Sequence, residues 1–413
     1  MRLKVAAALV TVVGASLTVA PPAYAVDNVC LGVDESVAPG HTGRPSAPYQ
    51  ALGIASAQQV VPPPEGTPVR VAVLGPGVRG GAVPVHATEV RGGSPGEIED
   101  PLGTEVAGLV AGADRPDGQP VGFAPDAEIV DVRVYVDPAS DEDSARPSAP
   151  NLSDGLRWVA DRAGELNIKV AVVPFAVHKN GGLKHAVRIA QQAGVVVVAA
   201  TGDRPEDGTE LATDFATEVQ DPEVRTEDAG PVLFPAGYPG VVAVNSSGDP
   251  DGAFANVLKN SRTTVAAPSY DAVSYGLNGS TCLVQPTSTA AAAGEVAGVL
   301  ALLWQRFPKA EPGQVVARLV NSANGTPDDP TPLTGAGVVQ PFEALTRPLA
   351  PAADGTVERT VVREVPRARA PAPEPEPDPM ADLREDAVWW GLIGGGLLVI
   401  ALLLRPVLAR RRA

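Results

Sequence analysis

The alternation of short apolar runs with helix-forming segments restricts this chain to few architectures. Residues 69–74, 128–134, 169–175, 194–200 and 241–245 are dominated by Val, Ile and Ala and have the length of buried strands. Residues 104–111, 152–165, 183–193, 290–305 and 312–321 have helical length and spacing. Apolar strands separated by helices pair into a parallel sheet covered on both faces. The expected fold is therefore α/β, a doubly wound parallel sheet with helices on both sides. Ligands collect beyond the carboxyl ends of the strands in such a sheet, and Gly75 and Asp203 each follow an apolar run directly.

The two ends of the chain have different compositions from this core. Met1-Arg2-Leu3-Lys4 supplies a basic start, residues 5–20 an apolar run, and Ala23-Tyr24-Ala25 a small-x-small cleavage site. This reads as a secretory signal peptide over 1–25, followed by an N-terminal extension over 26–66 and one large domain over 67–346. Residues 347–386 are rich in Pro, Arg and Glu, including Pro371-Ala-Pro-Glu-Pro-Glu-Pro-Asp-Pro379, and read as an extended stalk. Residues 387–404 are uncharged, apolar and long enough to cross a bilayer core, and 405–413 form a basic tail. Trp389 and Trp390 lie at one edge of that stretch, with Arg405, Arg410, Arg411 and Arg412 beyond the other. This asymmetry predicts a single-pass protein of the cell membrane, its globular domain outside and its C-terminus in the cytoplasm.

The formal charge of -16 argues against a nucleic-acid partner, because phosphate binding needs clustered Lys and Arg. The chain has two cysteines, Cys30 and Cys282. Export exposes them to conditions in which they pair, and a bridge would pin the N-terminal extension to the region before residue 288; two free thiols are the alternative.

Three blocks carry a family resemblance: Val71-Ala-Val-Leu-Gly-Pro-Gly-Val78, Leu102-Gly-Thr-Glu-Val-Ala-Gly108 and Ser288-Thr-Ala-Ala-Ala-Ala-Gly-Glu-Val-Ala-Gly298. In order and spacing they resemble the subtilase motifs V-A-V-[IL]-D-[TS]-G-[VI], H-G-T-x-V-A-G and G-T-S-x-A-x-P-x-V-A-G. Val121-Gly-Phe-Ala-Pro-Asp-Ala127 is similar to the family's G-V-A-P-x-A turn. Phe234-Pro-Ala-Gly-Tyr-Pro-Gly-Val-Val-Ala-Val244 and Val265-Ala-Ala-Pro268 are similar to its later strands. With the signal peptide, the early cysteine, the ending Gly335-Ala-Gly-Val-Val-Gln-Pro-Phe-Glu-Ala-Leu345, the stalk and the terminal helix, the chain resembles the mycosins. These are the membrane-anchored subtilases of type VII secretion systems. The resemblance implies a subtilisin-like fold and, as partners, the membrane-complex proteins of such a system.

The same resemblance places Gly75 where the family has its catalytic Asp, Leu102 at the His and Ala290 at the nucleophilic Ser. Asp203, ending Val195-Val-Val-Val-Ala-Ala-Thr-Gly-Asp203, stands at the oxyanion Asn. A hydroxyl nucleophile needs a base, and the base a group that holds its tautomer. An ionised Asp203 would repel a developing oxyanion. The resemblance thus implies a pseudoprotease with no intact catalytic residue, acting as a scaffold of the secretion complex.

A rival register aligns Pro286-Thr-Ser288 with G-T-S and makes Ser288 the nucleophile of an active endopeptidase, at the cost of a two-residue insertion. In the gapless register Ser288 and Thr289 cap the following helix. A base for Ser288 would come from His41, His86, His178 or His185, none of which lies in an H-G-T context; His86 is the replacement candidate. Asp100 is a candidate acid without an imidazole to orient. A third reading keeps the cleft as a peptide-binding groove that does not cut. No cofactor is expected; the acidic stretches 137–143 and 203–228 have suitable chemistry for calcium but match no defined site.

Overall fold

The computed structural model describes residues 29–30, 36–64, 66–93, 96–140, 142, 144–206, 210–218, 222–252, 255–358 and 380–409. The expected signal peptide and most of the Pro-rich stalk lie outside the described residues. Met1–Glu358 and Arg359–Ala413 form separate compact units.

The first unit is built in chain order from α1 (Ala47–Ala51), α2 (Ile54–Gln59), β1 (Arg70–Gly75), β2 (Val85–Val90), α3 (Leu102–Ala111), β3 (Glu128–Arg133), α4 (Ala149–Arg162), β4 (Ile168–Val173) and β5 (Val177–His178). It continues with α5 (Gly181–Gln192), β6 (Val196–Ala200), β7 (Leu233–Phe234), β8 (Val242–Ser247), β9 (Val265–Pro268), β10 (Ala272–Tyr275), β11 (Thr281–Val284), α6 (Thr289–Arg306), α7 (Pro312–Ser322) and α8 (Pro341–Thr346). Seven strands form one parallel sheet in the order β2-β3-β1-β4-β6-β8-β9. This is the doubly wound, subtilisin-like architecture expected.

Alternation along the central strands divides the core in two. Val71, Val73, Val170, Val172, Val196 and Val198 join a cluster with residues of α3 and α6, whereas Ala72, Leu74, Ala171, Val173, Val197 and Ala199 pack with α4 and α5. Helix α6 is buried from Thr289 to Trp304. Its small residues permit this: a Cβ on Gly298 would come within 2.7 Å of the Phe123 side chain.

The helices begin where caps dictate. Ser148 accepts the Asn151 N–H, with Pro150 in the first turn, so α4 starts before the apolar periodicity at 152. Asn180 does the same for α5 through the amides of Gly182 and Leu183. The first residues of the expected stalk, 347–351, contact the domain. Gln314 Nε2 donates to the Pro351 carbonyl at 2.9 Å and Arg318 Nη2 to that of Leu349 at 2.5 Å, which holds this segment on α7.

In the second unit, α9 (Ala381–Ala409) begins before the apolar stretch at 387 and takes in Asp382, Arg384, Glu385 and Asp386. Its segment Asp382–Arg405, which contains an 18-residue window of mean hydropathy 2.2, is long and apolar enough to cross a membrane.

Candidate functional site

Strand β1 ends at Gly75, and the turn after it meets the start of α3. A Cβ on Gly103 would lie 2.2 Å from the Gly77 carbonyl oxygen, so only glycine allows this approach. Thr104 Oγ1 accepts the Arg79 N–H at 2.9 Å and locks the turn to the helix. Gly75 itself has room: a Cβ there would meet Gly103 Cα at 3.7 Å, an ordinary contact.

From the other side, β6 delivers Asp203 to the N-terminus of α6. The Asp203 carboxylate accepts the Thr289 N–H at 2.6 Å and the Ser288 hydroxyl at 2.9 Å. Ser288 Oγ in turn accepts the amides of Ala290 at 3.2 Å and Ala291 at 3.5 Å, and the Ser288 carbonyl that of Ala292 at 3.2 Å. Every N–H of the first turn is therefore taken by the protein itself. Burial raises the Asp203 pKa above the usual carboxylate value, against the lowering effect of the Thr289 and Ser288 hydrogen bonds.

These elements enclose a cleft of about 550 Å3 whose walls include Leu102, Asp203, Ser288 and Ala290. Four of the positions singled out in the sequence thus meet at one site, and Gly75 lies outside its lining, beside Gly103. Residues 101–342 match the Peptidase S8 model, the subtilase family. The chain belongs to the subtilase family.

This subtilase is 29% identical to mycosin-1 of Mycobacterium tuberculosis over 332 residues, covering 73% of either chain. It is 28% identical to fervidolysin of Fervidobacterium pennivorans over 355 residues, 76% of this chain but 45% of fervidolysin. The chain therefore spans under half the length of that relative. Among solved structures it resembles that of MycP3, a protease from the type VII (ESX-3) secretion system. The TM-score is 0.58 at 27% identity, covering 78% of this chain and 91% of that one. It is a mycosin-like subtilase.

The remaining candidates of this subtilase lie in other contacts. His41 Nδ1 is 3.3 Å from Thr281 Oγ1, and His86 Nδ1 lies 3.2 Å from Arg70 Nη2 and 3.3 Å from Glu128. His178 pairs with Asp214 at 2.9 Å and His185 lies 2.8 Å from Arg188. None of the four lines the cleft. Asp100 holds the start of α3: it accepts the Leu102 N–H at 2.9 Å and the Tyr135 hydroxyl at 3.0 Å. Cys30 and Cys282 are joined as a disulfide, and Cys30 forms part of the cleft wall.

Among the described residues, no cluster of three or more His, Cys, Asp or Glu could hold a metal ion. The described acidic residues of 203–228 include Glu227, which forms a two-point ion pair with Arg204 at 2.8 and 3.0 Å, and Asp228, which accepts the amides of Gly230 and Ser261.

Two carboxyl groups escaped the sequence reading. Glu105, in the variable position of the second block, lines the cleft, and its Oε1 has no hydrogen-bond partner. Burial, reinforced by the nearby Asp100 charge, pushes its pKa up to about 8. Glu295, in the variable position before Val296, is fully buried with both oxygens unpartnered, and burial holds its pKa well above the ordinary value. The available signal was a charged residue inside an otherwise apolar helix.

Proposed function

We propose that this chain is a membrane-anchored, extracytoplasmic pseudoprotease that serves as a structural subunit of a type VII secretion complex. The observation that carries the reading is the closed hydrogen-bond account at the start of α6. Amides that would have to face a developing oxyanion are donated instead to Asp203 and Ser288, and a carboxylate stands where a donor is required. No histidine lines the cleft, so Ser288 has no imidazole base, and its proton is directed at Asp203. Likeness to mycosin-1 and MycP3 supports the secretion-complex setting, and α9 supports the anchor. The arginines beyond that helix favour a cytoplasmic C-terminus.

The test is labelling of the full-length, detergent-solubilised protein with a fluorophosphonate, with an active subtilase as positive control. No adduct is expected. An adduct that disappears in Ser288→Ala would restore the enzyme reading. For the scaffold role, deletion of the chain is expected to deplete the assembled membrane complex, and an unchanged complex refutes that role.

The cleft also favours a second reading, a groove that binds peptides without cutting them, because a cavity of about 550 Å3 lies beside Ser288 and Ala290.

A further inference from the structure

The cleft has an unbalanced charge distribution. Glu105, Asp203, Glu206 and Glu218 line it, while Arg204 is the one cation among its described lining residues. That cation is committed: Arg204 holds Glu227 through two hydrogen bonds, with the two side chains only 3% and 5% exposed.

Glu105 is the group that asks for a ligand. It is 7% exposed, its Oε1 is orphaned, and it opens on the cleft rather than on a structural partner. A buried carboxyl without a partner costs stability, so its presence needs an explanation beyond packing. The groups around it supply no positive charge. Asp100 precedes α3 and Tyr135 follows β3, while β10 contributes the Ser274 hydroxyl, which donates to the Glu105 backbone carbonyl at 2.5 Å. Asp203, Glu206 and Glu218 line the same cleft. Leu102, Val106, Pro174 and Val284 supply apolar lining. Apolar lining together with a carboxyl group matches a long aliphatic stem that ends in a cation.

We propose that the cleft binds a lysine or arginine side chain of a peptide, with its charged end paired to Glu105 and its stem against Leu102. The proposal rests on the non-cleaving reading of the same site. Binding ionises Glu105, whose proton leaves to solvent, so association at neutral pH is coupled to proton release.

The experiment is calorimetric titration of the full-length protein in detergent at pH 7. The probe is acetyl-Ala-Ala-Lys-amide, with the norleucine peptide, which keeps the aliphatic stem and lacks the ammonium, and n-butylammonium as comparisons, in two buffers of different ionisation enthalpy. The lysine peptide is expected to bind at least about tenfold more tightly than the norleucine peptide. The heats in the two buffers should differ by the ionisation of close to one proton. Glu105→Gln is expected to weaken binding about tenfold while leaving the melting transition cooperative. Should that variant fail to fold, the proton release of the unaltered protein decides. Equal affinity for both peptides, or a heat independent of buffer, overturns the proposal. Butylammonium binding as tight as the peptide overturns the assignment to a peptide. Mass analysis of the recovered peptide separates the two readings: a cut peptide with the lysine preference intact supports the pocket and removes the pseudoprotease.

Discussion

Asp203 and Thr289 tie the carboxyl end of β6 to the first amide of α6 through a 2.6 Å hydrogen bond. The bond joins segments that are distant in sequence, and it places a carboxylate against the positive end of a helix buried along most of its length. Asp203 thus anchors the central helix.

That arrangement predicts a stability role. Asp203→Ala leaves the Thr289 amide without its acceptor and removes the partner of the Ser288 hydroxyl, and is expected to destabilise the fold by about 1–2 kcal/mol. Thermal melting of the two proteins measures it. An unchanged transition means that water replaces the carboxylate at no cost, and the capping account is wrong.

Glu105 sets a pH dependence of opposite sign to that of a paired carboxylate. Its ordinary pKa is 4.5 and its folded value about 8, so between these the folded protein holds a proton that the unfolded chain has released. Its contribution is complete below about pH 4.5, declines as pH rises, and is exhausted above about pH 8. Asp131, raised by burial to about 6, adds a decline in the lower part of that range. Glu105→Gln is therefore expected to flatten the denaturant midpoint profile between about pH 6 and 8, where Asp131 has already titrated. A variant whose profile keeps the parent's slope in that window contradicts the assignment.

Glu295 is a buried carboxyl group that the helix accommodates without a partner, and the cleft does not reach it. Glu295→Met keeps the side-chain length and removes the desolvated polar atoms, and should raise stability by roughly 1–3 kcal/mol. Chemical unfolding provides the value. A loss of stability instead would point to an acceptor role within the folded interior.

The reading from sequence succeeded where burial on both faces leaves a continuous apolar signal. Strands β1, β3, β4, β6 and β8 and the helices α3 to α7 were placed to within a few residues for that reason. Strand β2 alternates half-buried and exposed positions along Val85–Val90 and carries no such run. The caps Ser148 and Asn180 lie outside the apolar periodicity that marks their helices, so helix starts were set late. Leu102, Asp203 and Ala290, singled out by block order, line one cleft, whereas Gly75 lies outside its lining. The bond from Ser288 to Asp203 was not legible: the residues are 85 positions apart and meet only because β6 and α6 converge. Glu105 was hidden because the block pattern leaves its position unconstrained.

If the gapless register is right, the lost chemistry should be recoverable at four positions together. Gly75 tolerates a side chain, its nearest neighbour being Gly103 Cα at 3.7 Å from a Cβ, and Leu102, Asp203 and Ala290 line one cleft. Nucleophile, base and orienting acid act as a unit, so single restorations should produce nothing. The combination Gly75→Asp, Leu102→His, Asp203→Asn and Ala290→Ser is expected to react with a fluorophosphonate at least about a hundredfold faster than the same variant lacking Ala290→Ser. The Asp203→Asn change contributes twice, by removing the negative charge and by offering an amide donor toward the oxyanion. Peptide mapping of the adduct locates it. Modification at residue 290 establishes the register, whereas modification at Ser288 in both variants shows that the nucleophile stands two residues earlier and that the rival register describes this chain.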